Sequence, residues 1–373
     1  MEKIQAFDNL RNFVLLLVLN NVYSKADYRI WQKQREGTLE KLFDYTKRSG
    51  MPSINDLVSP FFHPTLPLIG LGYSLLAHNV LYKYPFGWTE PLRLCRGLVF
   101  DRNGNLIALP FPKFFNMGEH PETKIAPNKP LEVLEKIDGH LGIIFWYEGS
   151  FHLTTRVSFV NKTTRFADKI LNQIAEKNNW KNTDIRHLTI LVEIIHPETH
   201  EMCDYNNKVK FVLIGAYDLR TFADLNYDEL KSMGCKLGIQ IVKRWRFLTT
   251  RDVIQVINNP SVKNREGFVV KYENGCRIKF KFKSYLKEIV GKKISYSYLM
   301  LRYMEGRIDN VMKGLSEEVL PEAERMLENL KKARRMRRPI KERWQYLYGL
   351  LPSEQSTSYH RLICRNFIRY RGS

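Results

Sequence analysis

The sequence predicts an α+β fold with largely antiparallel sheets, ending in a helical part. Two observations carry this expectation. Between residues 92 and 282 the apolar residues come in short or alternating runs: "RGLVFDRNGNLIALPF", "HLGIIFWYEGSFHLTTR", "LTILVEIIH", "VKFVLIGAYD" and "GFVVKYENGCRIKFKFK". Several are split by Asn-Gly or Glu-Gly, dipeptides that close β-hairpins because they accept positive φ. After Leu286 the period changes. In "SEEVLPEAERMLENLKKARRMRRPIKERWQYLYGLL" apolar residues recur every three or four positions, with acidic residues early and basic ones late, the order a helix dipole favours.

Before residue 92, helical periodicity alternates with loop signals such as "SGMPSIND" and "SPFFHPTLP". Within the strand region, residues 165–181 and 250–258 read as helices flanking the sheets. The change of period places a domain boundary near Tyr296, giving a domain of residues 1–295 and a small all-helical domain of residues 296–373.

With 373 residues, 44% of them hydrophobic and 12% aromatic, the chain can bury a substantial core. It carries 59 basic against 39 acidic residues, a net charge of +20. Such a balance points to a polyanionic partner, nucleic acid or anionic lipid. The five cysteines are scattered, and no pair has metal-ligand or redox spacing. This argues against a zinc site and for a reducing, cytoplasmic compartment. "NFVLLLVLNNVY" is too short to span a bilayer and reads as a buried helix or strand, so no membrane partner is expected.

Charged residues interrupt the strand patterns: Arg96 in "LCRGLVF", Lys113 in "PFPKFFN", Lys136 and Asp138 in "LEKIDGHLG", Arg156 in "LTTRVS", Glu193 in "ILVEIIHP", Glu266 in "REGFVV", and Lys279, Lys281 and Lys283 in "RIKFKFKS". Each has a plain structural reading. Asp138-Gly139 and Glu266-Gly267 suit ordinary turns, Arg96 or Glu193 suits half of an ion pair, and the three lysines suit one solvated strand face. Together they supply an amine nucleophile, cations for phosphates, and three carboxylates able to hold a divalent metal.

Lys136-Ile137-Asp138-Gly139 matches the Lys-x-Asp-Gly of the covalent nucleotidyltransferases, which include polynucleotide ligases and mRNA capping enzymes. The motif order around it resembles the ATP-dependent RNA ligases of the phage type, the first class of RNA ligases, which repair broken tRNA anticodon loops. An Arg96-Gly97 strand precedes Lys113 to Asn116, and the nucleophile motif follows. Then come Thr155-Arg156-Val157-Ser158, Glu193 with Pro197 and Tyr205, Glu266 to Val269, and Lys281 to Ser284. The last motif can be read as Lys279 with Lys281 or as Lys281 with Lys283. The resemblance runs from Arg96 to Ser284 and makes residues 1–91 a divergent N-terminal part of a nucleotidyltransferase (adenylylation) domain.

The resemblance implies that Lys136 attacks ATP to form lysyl-AMP, with Glu193, Glu266, Lys281 and Lys283 as the other catalytic residues. Arg96, Lys113, Asp138, Gly139, Arg156 and Gly267 would join them around ATP. Asp138, Glu193 and Glu266 would hold Mg²⁺ or Mn²⁺. AMP would then pass to an RNA 5′-phosphate, and a 3′-hydroxyl would seal the strand. The tail lacks the alternating strands of an OB-fold, which disfavours a DNA ligase or a capping-type enzyme. Its basic run, residues 331–343 with Trp344 and Tyr346 nearby, makes Arg334, Arg335, Arg337 and Arg338 candidate RNA contacts; a solvated basic helix is the alternative. The rival from another class is a non-catalytic or decayed RNA-binding protein, against which stands the presence of every motif position.

Overall fold

The computed structural model describes residues 2–81, 83–199, 202–316, 318–351 and 358–370. They divide into two compact units, Met1–Tyr285 and Leu286–Ser373. The division falls inside helix Lys283–Lys293, one helix before the Tyr296 boundary read from the pattern.

All described strands lie in the first unit. In chain order they are β1 (Val58–Phe62), β2 (Leu68–Tyr73), β3 (Leu98–Asp101), β4 (Leu106–Ala108) and β5 (Phe115–Asn116). There follow β6 (Glu132–Lys136), β7 (His140–Tyr147), β8 (Ser150–Thr154), β9 (Leu188–Ile195) and β10 (Lys210–Asp218). The last are β11 (Gln240–Ile241), β12 (Arg244–Trp245), β13 (Gly267–Lys271) and β14 (Arg277–Lys281). They form three sheets, ordered β1-β2-β3-β4, β11-β10-β9-β7-β8 and β12-β6-β13-β14-β5. Pairing is antiparallel except for β10 with β11 and β14 with β5.

The α+β expectation therefore holds, and its hairpins form where turn chemistry requires them. Glu148-Gly149 closes β7 on β8 with φ of 43° and 84°, both in the left-handed region. Helices Lys162–Lys177 and Thr250–Ile257 take the expected positions. At each N-terminus one amide donates to the cap side chain, Thr164 to Asn161 and Asp252 to Thr249. The early apolar run lies in helix Glu2–Leu19, where Leu10, Phe13, Val14 and Leu17 are fully buried. No helix among the described residues is long and apolar enough to cross a membrane.

One local reading changes. "SPFFHPTLP" suggests a loop, but residues 58–62 form β1 and pair with β2. Proline breaks central strands by removing a ladder donor, and β1 is an edge strand, where Pro60 is tolerated.

A charge cluster ties the second and third sheets together. Asp224 follows β10 and bridges to Tyr217 on it. Its carboxylate lies 2.5 Å from Lys271 Nζ of β13 and also pairs with Arg277 of β14. The three side chains are only 14–18% exposed, so removing the shared anion strands two partly desolvated cations. Asp224→Asn should lower stability by about 2–4 kcal/mol, less than for a fully buried pair. Chemical denaturation checks this; a change within about 0.5 kcal/mol would mean that the cluster does not hold the sheets.

Candidate active site

Lys136 ends β6, and His140 begins β7. Since β6 pairs with β12 and β13 while β7 pairs with β8 and β9, the intervening Ile137-Asp138-Gly139 closes no hairpin. It carries the chain from the third sheet to the second. Gly139 is needed for the crossing: a Cβ there would sit 2.6 Å from the Ile194 carbonyl oxygen and 3.0 Å from Glu193 Cγ. Asp138, 3% exposed, fixes the crossing from within. Its amide donates to Tyr205 Oη at 2.9 Å, and its Oδ2 accepts from the Met202 and Cys203 amides, each at 2.8 Å. Tyr285 Oη donates to its Oδ1 at 3.3 Å.

Across the third sheet, Gly267 of β13 stands in register with Lys136 on one side and Lys281 on the other. Glu266 immediately precedes it and is 4% exposed. The register delivers both ammonium groups to one carboxylate: Lys136 Nζ lies 2.8 Å from Oε2, and Lys281 Nζ lies 2.8 Å from Oε1. A Cβ on Gly267 would lie 2.0 Å from the Phe280 carbonyl oxygen, so only glycine lets the strands meet here.

Lys279 shares the Lys281 face of β14 by strand alternation. Its Nζ is 5.1 Å from the centroid of Phe114, and the Arg96 guanidinium is 5.7 Å from the same ring. Lys279 and Lys281 thus form the lysine pair on the strand, while Lys283 opens the following helix and is exposed. Lys136, Lys281 and Glu266 thus meet beside the crossing turn.

Glu193 faces Leu141 across the β7–β9 pairing and is partly buried. Its carboxyl makes no hydrogen bond among the described residues. Burial pushes its pKa up to about 7; Lys136 and Arg96 oppose the rise, while Glu266 and Asp138 add to it. Among the described residues no three His, Cys, Asp or Glu side chains are grouped to hold a metal ion, so Asp138, Glu193 and Glu266 form no ready three-carboxylate cage.

Other expected positions lie in other settings. Lys113 is buried with its Nζ 3.3 Å from Glu119 Oε1, between the rings of Trp88 and Phe115. Glu119 also accepts at 2.7 Å from the Asn116 amide and side chain, and nothing in the motif pattern pointed to it. Arg156 lies in the bend after β8, 5.7 Å from the Tyr73 ring. Tyr285 joins Asp138 to the Lys281 ammonium, which lies 5.3 Å from its ring; its only sequence signal was its place after the last lysine motif. In the second unit, Arg334 donates to the Tyr370 carbonyl at 2.6 Å and lies over Tyr303 and Phe367, so it is committed to that unit's interior. Arg335, Arg337 and Arg338 are exposed.

A family profile described as RNA ligase matches residues 94–288, more than half of the chain. The chain belongs to this RNA ligase family. The match spans all three carboxylates and every lysine of the cluster above. A curated protein of Thermovibrio ammonificans with a provisional RNA ligase name is 29% identical over 214 residues, 53% of this chain and 54% of that protein. The chain thus spans about half the length of the curated relative it matches. Among solved structures, an archaeal ATP-dependent RNA ligase is similar at 17% identity, covering 73% of this chain and 67% of that one, with a TM-score of 0.43. A mutant RNA ligase of Naegleria gruberi with ATP and Mn is similar at 19% identity, covering 43% and 51%, with a TM-score of 0.35. These structural likenesses are weak.

The Glu193 environment has a measurable consequence. A carboxyl whose folded pKa is raised stabilises the fold most below its ordinary value of 4.5, and that contribution is lost as pH rises through about 7. Glu193→Gln cannot ionise. Its stability relative to the parent should therefore rise between pH 5 and pH 8 by on the order of 1–3 kcal/mol. Paired denaturation curves check this; a difference independent of pH would contradict the raised pKa.

Proposed function

We propose that this chain is an ATP-dependent RNA ligase that joins RNA 5′-phosphate and 3′-hydroxyl ends through lysyl-AMP and adenylylated-RNA intermediates. The observation that carries the reading is the Glu266 carboxylate held between Lys136 and Lys281 at one level of the sheet. An amine nucleophile, a proton acceptor in contact with it and a second cation are what phosphoryl transfer to a lysine needs.

In the first step Lys136 Nζ gives up a proton, for which Glu266 Oε2 is the acceptor within reach. It attacks the α-phosphorus of ATP; a P–N bond forms, and the P–O bond to pyrophosphate breaks. Lys281, Lys279 and Arg96 offset the charge gathering on the leaving group. In the second step a 5′-phosphate oxygen of RNA attacks the AMP phosphorus, the P–N bond breaks, and Nζ regains its proton. In the third, a 3′-hydroxyl attacks the RNA 5′-phosphorus and AMP leaves. Lys283, exposed at the helix start, and Arg156 are assigned to the nucleotide phosphates at the rim, and Lys113 supports the strand that carries Asn116.

Mg²⁺ or Mn²⁺ fits beside Glu193, whose oxygens have no hydrogen-bond partner among the described residues. Glu193, with Glu266, would hold the ion largely through water, and the ion would neutralise phosphate charge. Asp138 has its carboxylate bonded to two amides and a tyrosine, and we assign it to anchoring the turn rather than to direct ligation. The free cysteines favour a reducing, cytoplasmic setting, and RNA repair, of tRNA in particular, is the proposed role. The convergence of charges on Glu266 favours this over a non-catalytic RNA-binding protein, which has no need to bury a lysine–glutamate–lysine set. The second unit's helices, without a strand among the described residues, disfavour a DNA ligase or capping-type enzyme.

Incubation with α-labelled ATP and Mg²⁺ tests the proposal. The parent chain should retain label after denaturation. Lys136→Ala should take none, yet should still seal pre-adenylylated RNA; label on the variant would move the nucleophile elsewhere. Glu266→Gln should slow labelling roughly a hundredfold or more, the scale for loss of a group acting in the transition state. Labelling within threefold of the parent would make Glu266 structural.

A further inference from the structure

Helices Ile340–Gly349 and Ser358–Arg369 of the second unit pack against each other, and Leu347, Ile363, Cys364 and Phe367 on them are buried. The outward positions of the later helix include Arg361, Arg365 and Arg369, all exposed. A four-residue step turns a helix by only about 40° and rises about 6 Å, so the three guanidinium groups form one stripe.

Two of these arginines lie over rings of the neighbouring helix. Arg365 is 4.7 Å from the Trp344 centroid, and Arg361 is 5.0 Å from the Tyr348 centroid. Numbers rise on one helix as they fall on the other, so the pairs are successive rungs between antiparallel helices. The two rings are 6.5 Å apart and inclined at 72°. Among the described residues none of the three arginines forms an ion pair. From Lys331 onward the sequence carries twelve Lys and Arg against two Asp and Glu.

We propose that this stripe is a docking track for single-stranded RNA. Unneutralised cations call for a polyanion, and the step between arginines is comparable to that between successive phosphates on an extended strand. The rings hold the guanidinium forks in place, so less rotamer freedom is lost when phosphates bind. Rings and guanidinium planes together also offer faces on which unpaired bases stack. A membrane is a poor occupant, because Leu362 is the one large apolar side chain exposed on that helix among the described residues. The preceding basic run is partly engaged already: Arg334 bonds the Tyr370 carbonyl, and Arg343 bonds the Ala333 and Arg334 carbonyls at a helix end.

The proposal rests on reading the chain as an RNA ligase, and two independent measurements separate them. Binding of a fluorescent single-stranded RNA to the full chain is followed by anisotropy across a salt series. Changing Arg361, Arg365 and Arg369 together to Gln should lower the salt slope by about 2, at about 0.7 per lost phosphate contact. The triple Lys variant should keep the slope but bind several-fold more weakly. Trp344→Leu should weaken binding at every salt concentration with the slope unchanged. Each variant should take AMP label at the parent rate. An unchanged slope in the Gln variant, or an equal loss of slope for a duplex RNA of the same length, would overturn the track. If the parent takes no label while the slope falls as stated, the track stands and the ligase reading fails.

Discussion

One buried carboxylate organises the site. Glu266 holds Lys136 with one oxygen and Lys281 with the other, and it can do so because the glycine after it lets three strands meet in register. Removing Glu266 would leave two ammonium groups facing each other in a partly desolvated setting, so the carboxylate fixes both side chains. The arrangement holds the Lys136 amine beside a carboxylate able to take its proton. Arg96 and Lys279, meeting over Phe114, extend the same cationic surface.

A second constraint sets where that surface lies. The turn after Lys136 passes from one sheet to another, so Lys136 ends a strand of the third sheet while Glu193 projects from a strand of the second. Asp138 secures the passage through two backbone amides and a tyrosine hydroxyl. Asp224, paired with Lys271 and Arg277, ties the same two sheets at another point. The geometry around Lys136 thus depends on inter-sheet contacts as much as on the strand that carries it.

What was legible in the sequence follows from what local patterns encode. Alternation and turn dipeptides report strand faces and hairpins, so β7 with β8 and β13 with β14 could be read directly, and Lys279 and Lys281 could be put on one face. Motif order brought Lys136 and Glu266 together across a separation of 130 residues. Tertiary partners were not legible. The pairing of Lys113 with Glu119, the amide bonds that occupy Asp138, and the engagement of Arg334 by Tyr370 depend on folds of the chain that no local period records. The edge strand containing Pro60 was hidden for a different reason: the breaker signal is the same at an edge as in a loop, and only the sheet order tells them apart.

The central claim is that the amine held by Glu266 is the one that attacks ATP. Protein incubated with ATP and Mg²⁺, quenched, digested under conditions that preserve a phosphoramidate, and sequenced by mass spectrometry tests it directly. A single AMP adduct is expected, on the peptide containing Lys136. An adduct on Lys279, Lys281 or Lys283, or no adduct while RNA ends are still joined, would contradict it.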